Sequence, residues 1–335
     1  MTHLLAVAPA GDLGGAELGL LRLLARLRSR GWTLTLTSPR PGPLRDAALA
    51  AGLAWERLSV SWPAGGRARR LARGADAVYL SGAASARLLG PLGSKRTVLH
   101  VHELVERAPR GWGRADVILA DSHATAERLG RLGDRAHVVG CPIEPQPRPV
   151  QPPWPPSDGP VVGYVGRIEP SKGVDDLVRA APALSAAGAR VVVVGDDPYE
   201  AAPHYVTALK STDAVEHYGW VDGAAGLLRA LDVLVYPSRE EPFGTVPAEA
   251  MNAGTPVVAT AAGGLGELVE DGVTGRLVPP DDPPALAAAV IEVLANRDAM
   301  GAAARHRAVR WHADRHAAQV AELIAPHEAR TLTEA

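Results

Sequence analysis

Short apolar runs recur along the chain, each followed by a glycine- or serine-bearing turn and then by a segment apolar at helical spacing. His3 to Pro9 (HLLAVAP) predicts a buried strand, Gly11 to Gly15 a glycine-rich loop, and Ala16 to Arg30 a helix with Leu20, Leu23, Leu24 and Leu27 on one face. Further strands are expected at Thr33 to Thr37, Ala77 to Leu80, Thr97 to His102 and Asp116 to Ala120, with Val138-Val139 closing the series. Helices are expected at Leu44 to Ala51 and within Gly65 to Gly74. Strands that alternate with helices predict a parallel, doubly wound α/β sheet.

The pattern then stops and restarts. Pro142 to Pro160 (PIEPQPRPVQPPWPPSDGP) carries too many prolines for regular structure, since each removes a backbone donor and stiffens the chain. Strands resume at Val161 to Val165, Arg190 to Gly195, Asp232 to Tyr236 and Thr255 to Thr260, with a helix from Val174. The expected organisation is a first Rossmann-like domain over 1–144, a linker over 145–160, a second such domain over 161–308 and a returning segment over 309–335. Arg305 to Ile324, with Val309, Ala313, Ala317, Val320 and Leu323 apolar, predicts a helix in that segment.

Candidate chemistry concentrates in Arg239 to Thr260, REEPFGTVPAEAMNAGTPVVAT. Pro247 fits only the first turn of a helix, so a helix is expected from Thr245 as N-cap to Gly254. Unpaired N–H groups and the helix dipole at such a start attract an oxygen-rich anion. Glu241 precedes the turn and Glu249 lies within the helix. Phe243, the single phenylalanine, sits in this loop between proline and glycine rather than at a core position. A second strand-to-helix turn, Gly166 to Gly173 (GRIEPSKG), brings Arg167 and Lys172, and two cations there make an anion site. Lys172 is one of three lysines in an arginine-rich chain. Gly195-Asp196-Asp197, Tyr218 to Gly223 and Gly263 to Glu267 are expected at the same sheet edge, where open α/β sheets bind ligands.

In the first half, His100 and His102 flank Val101. The expectation is that they face opposite sides of the strand and cannot share a pocket without a bulge, with His102 beyond the strand end as the functional one and His100 in the core. A His-x-His metal site is weighed and set aside, because no further ligand cluster is visible.

EPFG, then EAM, then AGTPVVAT resembles the retaining, nucleotide-sugar-dependent glycosyltransferases of family 4. The likeness extends over GGAE at Gly14, HVHE at His100, YVGRIEPSKG at Tyr164, YGWVDG at Tyr218, YPSREEPFG at Tyr236 and GGLGELVEDGVTGRLVPP at Gly263. The resemblance implies the GT-B fold, two Rossmann-like domains facing across a cleft, with a nucleotide-diphosphate sugar held mainly by the second. It implies roles at Arg167 and Lys172 on the diphosphate, Glu241 on the donor sugar, Glu249 on the ribose, and Gly219, Trp220 and Val221 against the base. By the same carry-over, Gly14 and Gly15 approach the diphosphate, His102 meets the donor sugar or an acceptor hydroxyl, and Phe243, Gly244 and Thr245 complete the donor site. No cofactor or metal is expected, since no DxD-type pair occurs in a suitable loop and two fixed cations could replace an ion.

Charge refines the picture. The formal net charge is −2, but the first 150 residues hold 21 Lys+Arg against 12 Asp+Glu, and the remaining 14 basic and 25 acidic residues make the rest negative. A basic first domain suits a peripheral contact with an anionic surface, but a solvated Arg-rich face is the preferred reading, and nothing points to nucleic acid. Acceptors within reach are a small molecule or a glycolipid. The absence of a basic-then-apolar leader or a span of about 20 apolar residues sets the expectation of a cytoplasmic protein, and a single cysteine excludes internal disulfides. The rival readings are a nucleotide-sugar 2-epimerase of the same fold, marked by donor turnover without acceptor, and a non-catalytic nucleotide-sugar-binding protein. A dinucleotide oxidoreductase is disfavoured because no GxGxxG opens the first turn.

Overall fold

The computed structural model describes residues 2–60, 65–156 and 158–325. Residues up to Ile143, together with those from Trp311 onward, form one compact unit, and Glu144–Arg310 forms another. The last ten positions of the expected 309–335 segment lie outside the described residues.

In the first unit the strands are β1 (His3–Val7), β2 (Thr33–Ser38), β3 (Ala54–Arg57), β4 (Ala77–Ser81), β5 (Arg96–Val101), β6 (Val117–Ala120) and β7 (Ala136–Val138). They pair in parallel in the order β3-β2-β1-β4-β5-β6-β7. The helices are α1 (Gly15–Ser29), α2 (Pro43–Ala50), α3 (Gly65–Ala72), α4 (Leu89–Leu92) and α5 (His123–Arg128). Alternation along each strand fills two layers. Leu4, Ala6, Tyr79, Val98 and Leu119 join one core cluster, whereas Leu5, Val7, Val78, Leu80, Leu99 and Ile118 join the other. Helices cover both faces, which is why the inner strands read as unbroken apolar runs. β3 was not predicted, and of β7 only its last residue, Val138, was expected. Both are edge strands with one covered flank, and β3 (AWER) carries no apolar run at all.

The second unit contains β8 (Val161–Val165), β9 (Arg190–Val194), β10 (Glu216–His217), β11 (Val233–Tyr236), β12 (Val257–Thr260) and β13 (Gly275–Val278). These are again all parallel, ordered β10-β9-β8-β11-β12-β13. Its helices are α6 (Val174–Ala186), α7 (Pro203–Lys210), α8 (Thr245–Ala253), α9 (Leu265–Leu268), α10 (Pro283–Ala295) and α11 (Arg297–Ala308).

The continuous helix predicted over Arg305 to Ile324 is two helices. α11 ends at Ala308, a 3-10 turn spans Val309–Trp311, and α12 (Ala313–Ile324) begins after an extended His312. The break has a cause in hydrogen bonding, because the Ile143 N–H donates to Trp311 O and the Ala313 N–H donates to Ile143 O. A helix continued through His312 would leave Ile143 without these partners. α12 places Ala317, Val320 and Ile324 in the cluster that holds Leu20, Leu23, Leu24 and Leu27 of α1. Arg96 ties the end of α12 to β5 through Leu323 O and Ile324 O.

Candidate active site

In the second unit the C-terminal strand ends all lie at one edge, and the turns after them are knitted together by the backbone. The Gly166 N–H donates to Val194 O, the Gly195 N–H to Gly219 O, and the Ile168 N–H to Asp196 O. The Arg239 N–H donates to Ser171 O at 2.8 Å and the Gly264 N–H to Glu241 O at 2.9 Å. Contact this close demands glycine. A side chain at Gly173 (φ +62°) would collide with Pro237 O, and one at Gly263 (φ +52°) with Glu241 O.

These contacts deliver Lys172 to Glu241. Lys172 ends a 3-10 turn over Pro170–Lys172, its side chain is 10% exposed, and its Nζ lies 2.9 Å from Glu241 Oε2. Arg239 braces both partners' loops. Its guanidinium donates to Pro170 O, to Asp175 at the start of α6 and to Asp281. Ser238 adds hydroxyl bonds to Ser171 O and Glu240 O. The Tyr236 hydroxyl is pushed well above its usual range, first by burial and then by the Glu241 carboxylate beside it.

α8 begins where Glu241's loop ends, but the cap differs from expectation. Gly244, at φ +103°, is the N-cap and Thr245 is the first helical residue, with no side chain capping the helix and no acid in its first turn. The Ala248 N–H donates to Gly244 O, the first intrahelical bond, so Thr245 lies inside the helix and is not the cap. Glu249, one turn in, is 9% exposed, and Phe243, expected in the loop rather than at a core position, is buried at 5% exposure.

Arg167 is placed differently from Lys172. Its side chain is 42% exposed, paired with Glu169 at 3.2 Å and set over the Tyr199 ring. Trp220 is half exposed, its indole N–H donating to Asp222, and follows Gly219 at φ +59° beyond β10. Val221 comes next and is half-buried. Glu267 lies within α9, where its backbone carbonyl accepts from Arg307.

In the first unit Gly14 caps α1 and its N–H donates to Glu17, while Gly15 opens the helix. Ser122 is the N-cap of α5, its hydroxyl accepting from the Thr125 N–H. The histidines overturn the expectation made for them. Residues two apart on a strand share a face, and the rings of His100 and His102 lie 4.0 Å apart. Both approach Asp121, His100 Nε2 at 2.8 Å and His102 Nδ1 at 2.9 Å. Asp121 follows β6 directly and was missed. The acid in DSHAT, one residue past a predicted strand, was the available signal. With His100 and His102 it forms a group of metal-ligand types whose ligand atoms lie within 4.8 Å of one another, the third partner that the sequence had not supplied.

Burial alone would raise the Asp121 carboxyl, but His102 and His100 hold it far below the usual carboxylate range. Burial likewise opposes protonation of His102, and Asp121, with Glu103 and Glu17, reverses this and raises it. His100, buried and beside His102, falls to about 4. The arginine run of α3 is partly committed to structure: Arg67 bonds Arg57 O and Glu56, and Arg69 bonds Pro91 O.

Two parallel-sheet Rossmann-like units with ligand-type side chains at their strand ends are the GT-B class of glycosyltransferase fold. Two family models match the chain, Glycosyltransferase Family 4 over residues 13–147 and Glycosyl transferases group 1 over residues 159–296. The chain belongs to the glycosyltransferases of family 4 and group 1. A D-inositol 3-phosphate glycosyltransferase of Geodermatophilus obscurus is 39% identical over 174 residues, 45% of this chain and 37% of the relative. A glycogen synthase of Mycobacterium tuberculosis is 42% identical over 155 residues, 44% and 36% of the two chains. The matched stretches thus span little more than a third of these relatives' length. Among solved structures, Anabaena Alr3699/HepE in complex with UDP and glucose superposes with TM-score 0.83 at 22% identity, over 97% of this chain and 100% of that one, a likeness of fold. No helix among the described residues is long and apolar enough to cross a membrane.

Proposed function

We propose that this protein transfers a hexose-type sugar from a nucleoside-diphosphate donor to an acceptor hydroxyl, with retention at the anomeric carbon and without a metal ion. The observation that carries the reading is the buried Lys172–Glu241 pair, set one loop away from the uncapped start of α8. As the glycosyl–phosphate bond breaks, charge builds on the departing diphosphate. Arg167, Lys172 and the N–H groups around Gly244 and Thr245 oppose it more strongly in the transition state than in the ground state. Glu241 accepts hydrogen bonds from the hexose hydroxyls and Glu249 from the ribose diol. Trp220 and its neighbours Gly219 and Val221 meet the base. Gly14, Gly15 and His102 are the first unit's contribution, and the acceptor is a small molecule or a glycolipid. The UDP and glucose held by the Anabaena protein support a donor of this class. With a single cysteine this sequence can form no internal disulfide, which fits the cytoplasm.

The test is a panel of nucleotide sugars read by thermal shift, followed by transfer assays in chelator with the product anomer assigned by NMR. A donor should raise the midpoint, since it binds only the folded chain. Glu249→Gln should weaken the bare nucleoside diphosphate by about ten- to a hundredfold, while Glu241→Gln should spare it and weaken only the intact sugar donor. Equal losses for the bare diphosphate would break the division of roles. Metal-reversible loss of transfer in chelator would overturn metal independence, and donor turnover without acceptor would favour an epimerase.

A further inference from the structure

We propose that Asp121 is a positioning residue for His102: it accepts the hydrogen bond of Nδ1–H and leaves Nε2 as a hydrogen-bond acceptor, so that the substrate group met there is a hydroxyl rather than a phosphate or carboxylate. The inference rests on the glycosyl-transfer reading for its substrate, but not for its geometry.

His102 stands just past the end of β5, at the ligand edge of the first unit's sheet. Its Nδ1 lies 2.9 and 3.1 Å from the two oxygens of Asp121. Asp121 is 3% exposed and ionised, with acceptor capacity only, so the proton between them belongs to Nδ1. Neutral imidazole carries one proton, and Nε2 is then a lone pair. Ser81 agrees, its hydroxyl 3.0 Å from Nε2 and free to donate to it. The ring is also held from the backbone side, where Glu103 accepts from the His102 and Ala83 N–H groups.

The neighbouring histidines do not compete for the Nδ1 proton. His100 Nε2 is close to Asp121 but not directed as a hydrogen bond, and its Nδ1 meets the Tyr79 hydroxyl. Beyond it, His316 of α12 faces the His100 ring at 6.3 Å. With His102 neutral, a substrate hydroxyl that displaces the Ser81 hydroxyl meets the same lone pair, whereas an anion meets electron density and is repelled. The orienting carboxylate thus selects what the histidine recognises, as a buried acid does wherever it fixes an imidazole tautomer.

The experiment reads the tautomer directly, by long-range proton–nitrogen NMR of the full chain labelled with nitrogen-15, at alkaline pH where His102 is neutral. The wild type should show His102 protonated at Nδ1 and bare at Nε2. Asp121→Asn, whose amide can offer an N–H to Nδ1, should move the proton to Nε2 and lower kcat by roughly ten- to a hundredfold, with the affinity for nucleoside diphosphate unchanged. Ser81→Ala should keep the wild-type tautomer, which separates orientation from packing. A wild-type His102 protonated at Nε2 overturns the proposal, and so does Asp121→Asn with the proton moved and kcat intact. Resonances of His100 and His102 that shift together on adding chelator would reveal a bound metal and overturn it as well. The wild-type spectrum decides the tautomer even if Asp121→Asn does not fold. A wild type that binds no nucleotide sugar refutes the glycosyl-transfer reading while leaving the tautomer measurement to stand on its own.

Discussion

Lys172 and Glu241 are separated by 69 positions in sequence and 2.9 Å in space. Their residue types were legible as cation and carboxylate within motifs, but their partnership was not, because it depends on how two strand-end loops pack. The same holds for Asp121, whose meaning appears only beside His100 and His102. Pairing gives Lys172 two roles, one toward the departing diphosphate and one toward Glu241. Removing it should therefore cost both rate and stability. Lys172→Met is expected to lower kcat about a hundredfold and to destabilise the fold by roughly 3 kcal/mol, because Glu241 is left buried without its partner. Adding Glu241→Gln should return most of the stability and none of the rate. Denaturant titration of the two single variants and the double variant, with kcat for each, checks this. A double variant no more stable than Lys172→Met would mean that the pair does not couple.

At the scale of elements, the central strands and α1, α6 and α8 were legible because an apolar run or a helical stripe marks each of them. Edge strands β3 and β10, and all of β7 but its end, were not, since an edge needs little apolar surface. The split between α11 and α12 was hidden for another reason: apolar spacing carries through it, and only the bridge to Ile143 breaks the helix. The start of α8 was misread by one residue, and that residue matters. Gly244 holds φ +103°, and an added Cβ would stand 2.8 Å from Leu265 Cδ2. Gly244→Ala is expected to destabilise by about 1–2 kcal/mol through the left-handed backbone, and to weaken nucleoside-diphosphate binding by re-aiming the first N–H groups of α8. Calorimetry and thermal denaturation of this one variant give both quantities. Unchanged affinity with lowered stability would remove the helix start from the anion site.

For the whole molecule, the alternation of strands and helices gave two doubly wound sheets, and the proline-dense segment marked where one ends. What the pattern could not show is that the returning α12 carries a buried histidine into the first unit's core. His316, 2% exposed, meets Val139 O through Nδ1 and faces His100. Burial, with His100 as a further cause, lowers it to about 3, and burial with His102 lowers His100 to about 4. Both are neutral in the fold, whereas an unfolded histidine takes up a proton near pH 6.5. The unfolded state therefore binds more protons below that pH, and the stability these two side chains contribute is complete above about 6.5. It is lost as the pH falls toward their folded values. His102 is raised and acts in the opposite sense, its contribution being lost as the pH rises through its folded value. His217 and His312 are lowered by burial as well, so with four histidines against one the fold is expected to weaken from pH 7 to pH 5. His316→Gln, whose amide can still donate to Val139 O, should reduce the fall in melting midpoint between those two pH values. If wild type and His316→Gln lose stability equally over that interval, the buried histidine of α12 is not the source of the acid sensitivity.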